Sequence, residues 1–335
     1  MRGNIKLLSK RYKNDGKSII KLNQVQKRMK SNLEKDIKLN RLTFEETPCC
    51  VCKNKIYDLL SCKDRYGLFQ PIVLCKVCGL IFSTPRMNKT SYERFYKNYQ
   101  KKLYLGKAQP LNEYFQNQYR RGAVIYDYIE KSVKRPIRNL NILEVGSSSG
   151  GILEYFKRKG NCVYGIDLSP DYVNFGRKKG LDLVVGTIET VDFPFKPDLV
   201  IYSHTIEHIL NPVDQMKILK DKMESDSLLF HETPGIFNLE NLYNCDFLKM
   251  LQSAHTHYFT LNTLDNVMRR AGYSRVRGDE YIRSIYKPEG SKNNKIYNLY
   301  EEEMKYLKRM EFFRIIPFSC LIWKIIDSIT EKIKI

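Results

Sequence analysis

The sequence predicts an α/β fold, a doubly wound sheet preceded by a small cysteine module and flanked by helices. Three observations predict it. Short apolar runs alternate with helical stretches from residue 141 onward. A glycine-rich turn, Gly146-x-Ser148-x-Gly150, follows the first of those runs directly. Two Cys-x-x-Cys pairs lie ahead of it.

Within "LNILEVGSSSGG", Ile142, Leu143 and Val145 make a short buried strand, and a helix of about three turns starts at Gly150. A second strand, "CVYGIDLSP", carries Asp167 near its end, 21 residues beyond Gly146. A helix begins at Pro170, and "LDLVVG", "PDLVIYS" and "DSLLFHE" supply three further strands. Continuous apolar strands alternating with helices mark a parallel sheet covered on both faces.

Strand, glycine turn and helix in that order form a nucleotide cradle. A dinucleotide fingerprint can be fitted, with Gly146, Ser148 and Gly151 in the glycine places. Two features oppose it. Glu144 lies just before the turn, where a carboxylate repels a pyrophosphate but attracts the ammonium group of a methionine moiety. No Lys follows the glycines to hold a phosphate. Asp167 is placed for two ribose hydroxyls on either reading.

Upstream, Cys49-x-x-Cys52 and Cys75-x-x-Cys78 stand 22 residues apart. Two tight turns of this kind close a thiolate tetrahedron around Zn²⁺, and Gly79 suits the second turn. With four protein ligands and no open position, such a zinc is structural. Cys50 and Cys62 lack the paired spacing. Between Asn88 and Lys131 tyrosines recur at helical spacing, as in Tyr92, Phe95, Tyr96 and Tyr99, which suits core packing, a stacking surface, or both.

The net charge is +20, and residues 1–41 hold 13 Lys or Arg against 3 Asp or Glu. This arm reads as a solvated, partly helical tail that favours anionic partners. The first apolar cluster (Ile5, Leu7, Leu8) is too short for a signal peptide, and the nine cysteines do not read as a disulfide framework. A cytoplasmic location is expected. The last stretch, "FFRIIPFSCLIWKIIDSITEKIKI", is apolar but interrupted by Arg314, Pro317, Lys324 and Asp327, so it reads as a docking or amphipathic helix rather than a spanning one. The expected divisions are a basic arm (1–44), a zinc module (45–87), a helical tyrosine-rich linker or substrate cap (88–135), the nucleotide-binding domain (136–290) and a helical amphipathic tail (291–335).

"ILEVGSSSGG", "GIDLSP", "VVGTIE" and "DLVIYSHTIEHILNP" occur in the order of the motifs of class I S-adenosylmethionine-dependent methyltransferases, which this chain resembles over roughly residues 45–285. "CGLIFSTPRM" and "HYFTLNTL" resemble the zinc module and late substrate motif of sugar C-methyltransferases. The resemblance implies a Rossmann-like seven-stranded sheet with S-adenosylmethionine as cofactor. It implies that Glu144, Gly146, Ser148 and Gly150 border the methionine part and that Asp167 takes the ribose. Leu168 then lies against the adenine, with Thr187 and Ile188 at its edge.

All five histidines fall within one window of 54 residues. A hydroxyl or carbon acid that accepts a methyl group needs a base near neutral pH, which suits histidine. His204 ends the fourth strand, on the side where open α/β sheets bind ligands. Glu207 and His208 start the next helix and orient that loop. His231 ends the fifth strand and is expected to face the cleft. His255 aligns with the substrate-motif histidine, but the glutamate that precedes it in the sugar enzymes is Ala254 here, which weakens proton abstraction from carbon more than O-methylation. His257, two residues on, points the same way if the segment is extended.

Together these readings give methyl transfer to a small polar acceptor, a nucleotide-activated or lipid-linked sugar in surface-polysaccharide or secondary-metabolite biosynthesis. An anionic lipid surface is a candidate partner for the last helix. The alternative is an RNA methyltransferase, since a zinc module and a basic arm also describe nucleic-acid enzymes. Against it, the fourth strand lacks an Asn-Pro-Pro-aromatic motif.

Overall fold

The apolar runs become strands β1 (Asn141–Val145), β2 (Cys162–Asp167), β3 (Leu183–Val185), β4 (Leu199–Ser203), β5 (Leu228–Glu232), β6 (Tyr273–Gly278) and β7 (Arg283–Pro288) in a computed structural model of the protein. The structure describes residues 7–107, 110–289 and 295–316. They fall into two units, one built from Met1–Ala108, Pro234–Thr263 and Ile296–Ile335, the other from Gln109–Thr233 and Leu264–Lys295.

The second unit holds a seven-stranded sheet in the order β6-β7-β5-β4-β1-β2-β3. Strands β5, β4, β1, β2 and β3 pair parallel, in the doubly wound pattern. The edge departs from it, because β7 runs antiparallel to β5 and to β6. Only residues 279–282 join β6 to β7, and so short a connection makes a hairpin rather than a crossover. The strand order reverses between β1 and β4, the place where open sheets bind ligands beyond the strand ends.

The core under this sheet combines Ile142, Leu199, Ile201 and Phe230 with Phe115, Ile125 and Ile129 of the helix Leu111–Val133. That helix packs closely on the helix Gly151–Arg158, where a side chain at Gly122 would run into Tyr155 and the Ile152 backbone. Gly151–Arg158 has eight residues, about two turns rather than three. Glu207 and His208 sit in a 3₁₀ turn, Ile206–His208, and the α-helix starts only at Pro212. Proline suits a first helical position, where no N–H is needed.

The first unit is a four-stranded antiparallel sheet. Tyr57–Lys63, Phe69–Cys75 and Ile81–Ser83 come from the cysteine module, and His257–Tyr258 pairs along Ile81–Phe82. Its core joins Leu60, Ile72, Leu74 and Tyr258 to Leu307 and Met310 of the helix Tyr300–Ile315. The basic arm is anchored, not solvated throughout. Tyr12 is fully buried, with its hydroxyl 3.0 Å from Glu311. Arg11 pairs with Asp246 at 2.9 Å and with Glu311 at 3.4 Å. No helix among the described residues is long and apolar enough to cross a membrane. Most of the apolar stretch expected as a final helix, from Pro317 on, lies outside the described residues.

His231 does not face a cleft. It is fully buried in the second unit, with ring centroids 5.1 Å from Tyr202 and 5.9 Å from Tyr286. Neither ring nitrogen has a hydrogen-bond partner among the described residues. Burial disfavours the charged imidazolium and lowers the pKa to about 3. The unfolded chain therefore binds a proton that the folded chain does not between that value and about 6.5. Stability from this group is complete above that window and is lost as pH falls through it, by at most about 1.4 kcal/mol per pH unit. Urea unfolding at pH 7 and pH 5 checks this. His231→Phe should gain on the native protein at the lower pH, and a stability difference that does not move with pH would show an ordinary histidine.

Candidate functional site

In the second unit the turn after β1 is built from left-handed residues, with φ of +76° at Gly146, +49° at Ser148 and +78° at Gly150. Glycine adopts this geometry freely, whereas Ser148 needs support to hold it. Asp167 supplies that support. Its Oδ2 accepts the Ser148 N–H at 2.8 Å, and its Oδ1 accepts the Ser169 N–H at 2.8 Å. Burial raises the Asp167 carboxyl above its ordinary pKa, and the two N–H donors oppose that rise. A Cβ at Gly146 would come within 2.5 Å of Thr205 Oγ1, so the turns after β1 and β4 meet where only glycine fits.

The turn is lined by buried polar groups. Glu144 Oε2, Ser147 Oγ and Ser149 Oγ are buried and have no hydrogen-bond partner among the described residues. Burial and then the Asp167 charge push the Glu144 carboxyl well above its usual pKa. Buried acceptors and hydroxyls left in this way are what a polar ligand would satisfy. Leu168, beyond the end of β2, is 64% exposed. Ile188 is fully buried, and Thr187 opens a turn in which its N–H donates to Thr190 Oγ1 at 3.0 Å. The unsatisfied polar groups of Glu144, Ser147 and Ser149 and the exposed Leu168 are what this turn offers a ligand with polar and apolar parts.

His204 follows β4 with a left-handed φ of +51°, and its N–H donates to the Glu232 carbonyl at 2.7 Å. Arg121, from the helix Leu111–Val133, contacts His204 Nε2 and pairs with Glu232 Oε2 at 3.0 Å. His204 Nδ1 lies 3.4 Å from Glu207 Oε1. Burial raises the Glu232 carboxyl, but the neighbouring guanidinium outweighs it and holds the pKa below its ordinary value.

Sequence reasoning missed Arg121, because one charge on a long amphipathic helix carries no local signal. Tyr114 drew attention only as one tyrosine among many. Its hydroxyl donates to Ser148 Oγ at 3.2 Å, and its ring stacks on Tyr172 at 4.9 Å.

In the first unit, Cys49, Cys52, Cys75 and Cys78 present sulfurs that all lie within 4.8 Å of one another. The Cys49–Cys78 and Cys52–Cys75 sulfur separations are 3.4 Å, slightly under the roughly 3.8 Å that tetrahedral Zn–S bonds of about 2.3 Å require. Cys50 and Cys62 lie outside the cluster.

The segment "QSAHTHYFT" lies in the same unit and is held by the module. Asp64 accepts the Ser253 N–H at 3.1 Å and the Ser253 hydroxyl at 2.7 Å. Gln70 Nε2 donates to the Gln252 carbonyl at 2.9 Å and the His255 carbonyl at 2.8 Å. The Tyr92 hydroxyl donates to the Ala254 carbonyl. His255 precedes the strand, next to a turn, with its ring centroid 5.7 Å from that of Tyr258. His255 borders a recess with Gln70, Arg86 and Tyr92. The His257 ring stacks with Phe82 and Phe259.

A family profile described as "Methyltransferase domain" matches residues 114–277. Residues 114–277, just under half of the chain, are similar to a methyltransferase domain. A search of curated proteins finds no match.

Among solved structures, the PH0226 protein of Pyrococcus horikoshii is 15% identical, with 50% of this chain and 90% of that chain covered at a TM-score of 0.41. An S-adenosylmethionine-dependent methyltransferase of Clostridium acetobutylicum is 14% identical, with 59% and 99% covered at 0.40. CalS10, an amino pentose methyltransferase of Micromonospora echinaspora, is 15% identical, with 50% and 89% covered at 0.37.

A structural four-thiolate zinc predicts one bound zinc ion per purified chain. Cys75→Ser should abolish it, as read by atomic absorption, and unchanged zinc content would remove the assignment.

Proposed function

We propose that the chain transfers the methyl group of S-adenosylmethionine to an oxygen or carbon of a small polar acceptor, a nucleotide-activated or lipid-linked sugar. The observation that carries the cofactor part is the set of unpartnered buried groups, Glu144 Oε2, Ser147 Oγ and Ser149 Oγ, around a turn that Asp167 holds open. On this reading Glu144 meets the ammonium group, Asp167 takes the ribose hydroxyls, and Leu168 offers its exposed apolar face to the adenine. Thr187 and Ile188 border that ring. Gly146, Ser148 and Gly150 let the backbone approach the methionine part.

The sulfonium supplies the chemical drive, so the protein's task is to align the acceptor and exclude water. His204 and His255 are the acceptor-side residues of the proposal. His231 is left as a packing residue of the sheet. The sugar class is supported by the resemblance of "CGLIFSTPRM" and "HYFTLNTL" to sugar enzymes, and a basic chain of net charge +20 suits a phosphorylated carrier. The cysteine cluster holds a structural zinc in this reading.

Asp167→Ala removes an ionised hydrogen-bond partner, a loss of about 1.5–3 kcal/mol, or roughly 10- to 150-fold in affinity. Calorimetric titration with S-adenosylmethionine should show that loss, and unchanged affinity would refute the assignment. Incubation with labelled S-adenosylmethionine should place label in a nucleotide-sugar panel and not in total RNA. Label in RNA, with binding that falls steeply between low and physiological salt, would replace the sugar reading with the nucleic-acid one.

A further inference from the structure

We propose that Gln252 and Arg65 are positioning residues that hold His255 as a neutral imidazole carrying its proton on Nδ1. The argument is one of donors and acceptors within the first unit. Arg65 Nη2 lies 3.0 Å from Gln252 Oε1. A guanidinium has five donors and no acceptor, so the face of the Gln252 amide turned toward it is the carbonyl. That fixes the amide, and its NH₂ group faces the imidazole, with the amide nitrogen 2.6 Å from Nε2 against 3.5 Å from Nδ1, so Nε2 is the nitrogen it bonds. A ring nitrogen that meets a donor must be the acceptor, which leaves the proton on Nδ1.

Arg65 is itself held. It donates to the Lys249 carbonyl at 3.3 Å and to the Tyr66 hydroxyl at 3.0 Å, and its guanidinium lies 5.0 Å from the Tyr66 ring centroid and 5.6 Å from that of Tyr104. The backbone of the turn is fixed at both ends by Gln70, which bonds the Gln252 and His255 carbonyls with one NH₂ group. Gln252 and His255 are 7% and 4% exposed, so water does not compete freely for either side chain.

A carboxylate beside the imidazole accepts a ring N–H and favours the imidazolium. The amide of Gln252 does the reverse, because protonating Nε2 would set two donors against each other. The consequence for the reaction rests on the reading of His255 as an acceptor-side residue. With its Nε2 lone pair committed to Gln252, His255 orients the acceptor instead of removing a proton from carbon, which favours methylation at oxygen.

The test is a two-bond proton–nitrogen spectrum of ring-¹⁵N-histidine-labelled protein at pH 7.5, with His255→Gln to assign the resonances. His255 Nε2 should resonate as an unprotonated nitrogen and Nδ1 as a protonated one. Gln252→Glu should shift Nε2 to the protonated position. A native spectrum with Nε2 protonated overturns the proposal, and so does a Gln252→Glu spectrum unchanged at Nε2. The native spectrum decides even if the variant does not fold. No methyl transfer is measured, so failure here is distinct from failure of the functional reading.

Discussion

The carboxylate of Asp167 is the interaction on which the second unit's site depends. The Gly146 and Ser147 N–H groups donate to the Ile166 carbonyl and that of Gly150 to the Ser147 carbonyl, which leaves the Ser148 N–H to a side-chain acceptor. Asp167 reaches across from the neighbouring strand and takes the Ser148 N–H on one oxygen and the Ser169 N–H on the other. One side chain thereby fixes the turn after β1 and the start of the chain after β2. The position of the helix Gly151–Arg158, and of Glu144 beneath it, follows from that tie.

The first unit applies the same rule to a different segment. Asp64 Oδ2, Gln70 Nε2 and the Tyr92 hydroxyl bond the backbone and hydroxyl of residues 252–255, and Arg65 Nη2 donates to Gln252 Oε1. In both units a buried polar side chain holds a loop that carries candidate chemistry. Where such an atom meets main chain, as Asp167 and Asp64 do, the cost of burying it is offset and the loop gains a single conformation.

The sheet was legible because the five parallel strands are mainly apolar and each is followed by turn chemistry. The cofactor turn was legible because glycine spacing is a local signal. So were the cysteine pairs, whose ligand geometry is set within four residues. What the sequence hid is long-range. Nothing local shows that Arg121 meets His204, or that "HYFT" extends the sheet of a module whose other strands end at Ser83. His231 misled for a related reason. A histidine at a strand end is open or buried according to its neighbours, and Tyr202 and Tyr286 come from strands on either side. The basic arm misled because composition does not register that Tyr12 and Arg11 find Glu311 and Asp246 near the far end of the chain.

The pairing of His257–Tyr258 with Ile81–Phe82 sets an order of events during synthesis. The ribosome delivers the cysteine module early, with its cysteine pairs complete and the edge of Ile81–Ser83 still open. The strand that closes this edge emerges only after most of the parallel sheet has been made, and the helix Tyr300–Ile315 that covers the same core comes later still. An open apolar edge is a site for wrong pairing with another chain. The nascent protein must therefore shield that edge, by chaperone or by transient local contacts, for as long as translation of the intervening residues lasts.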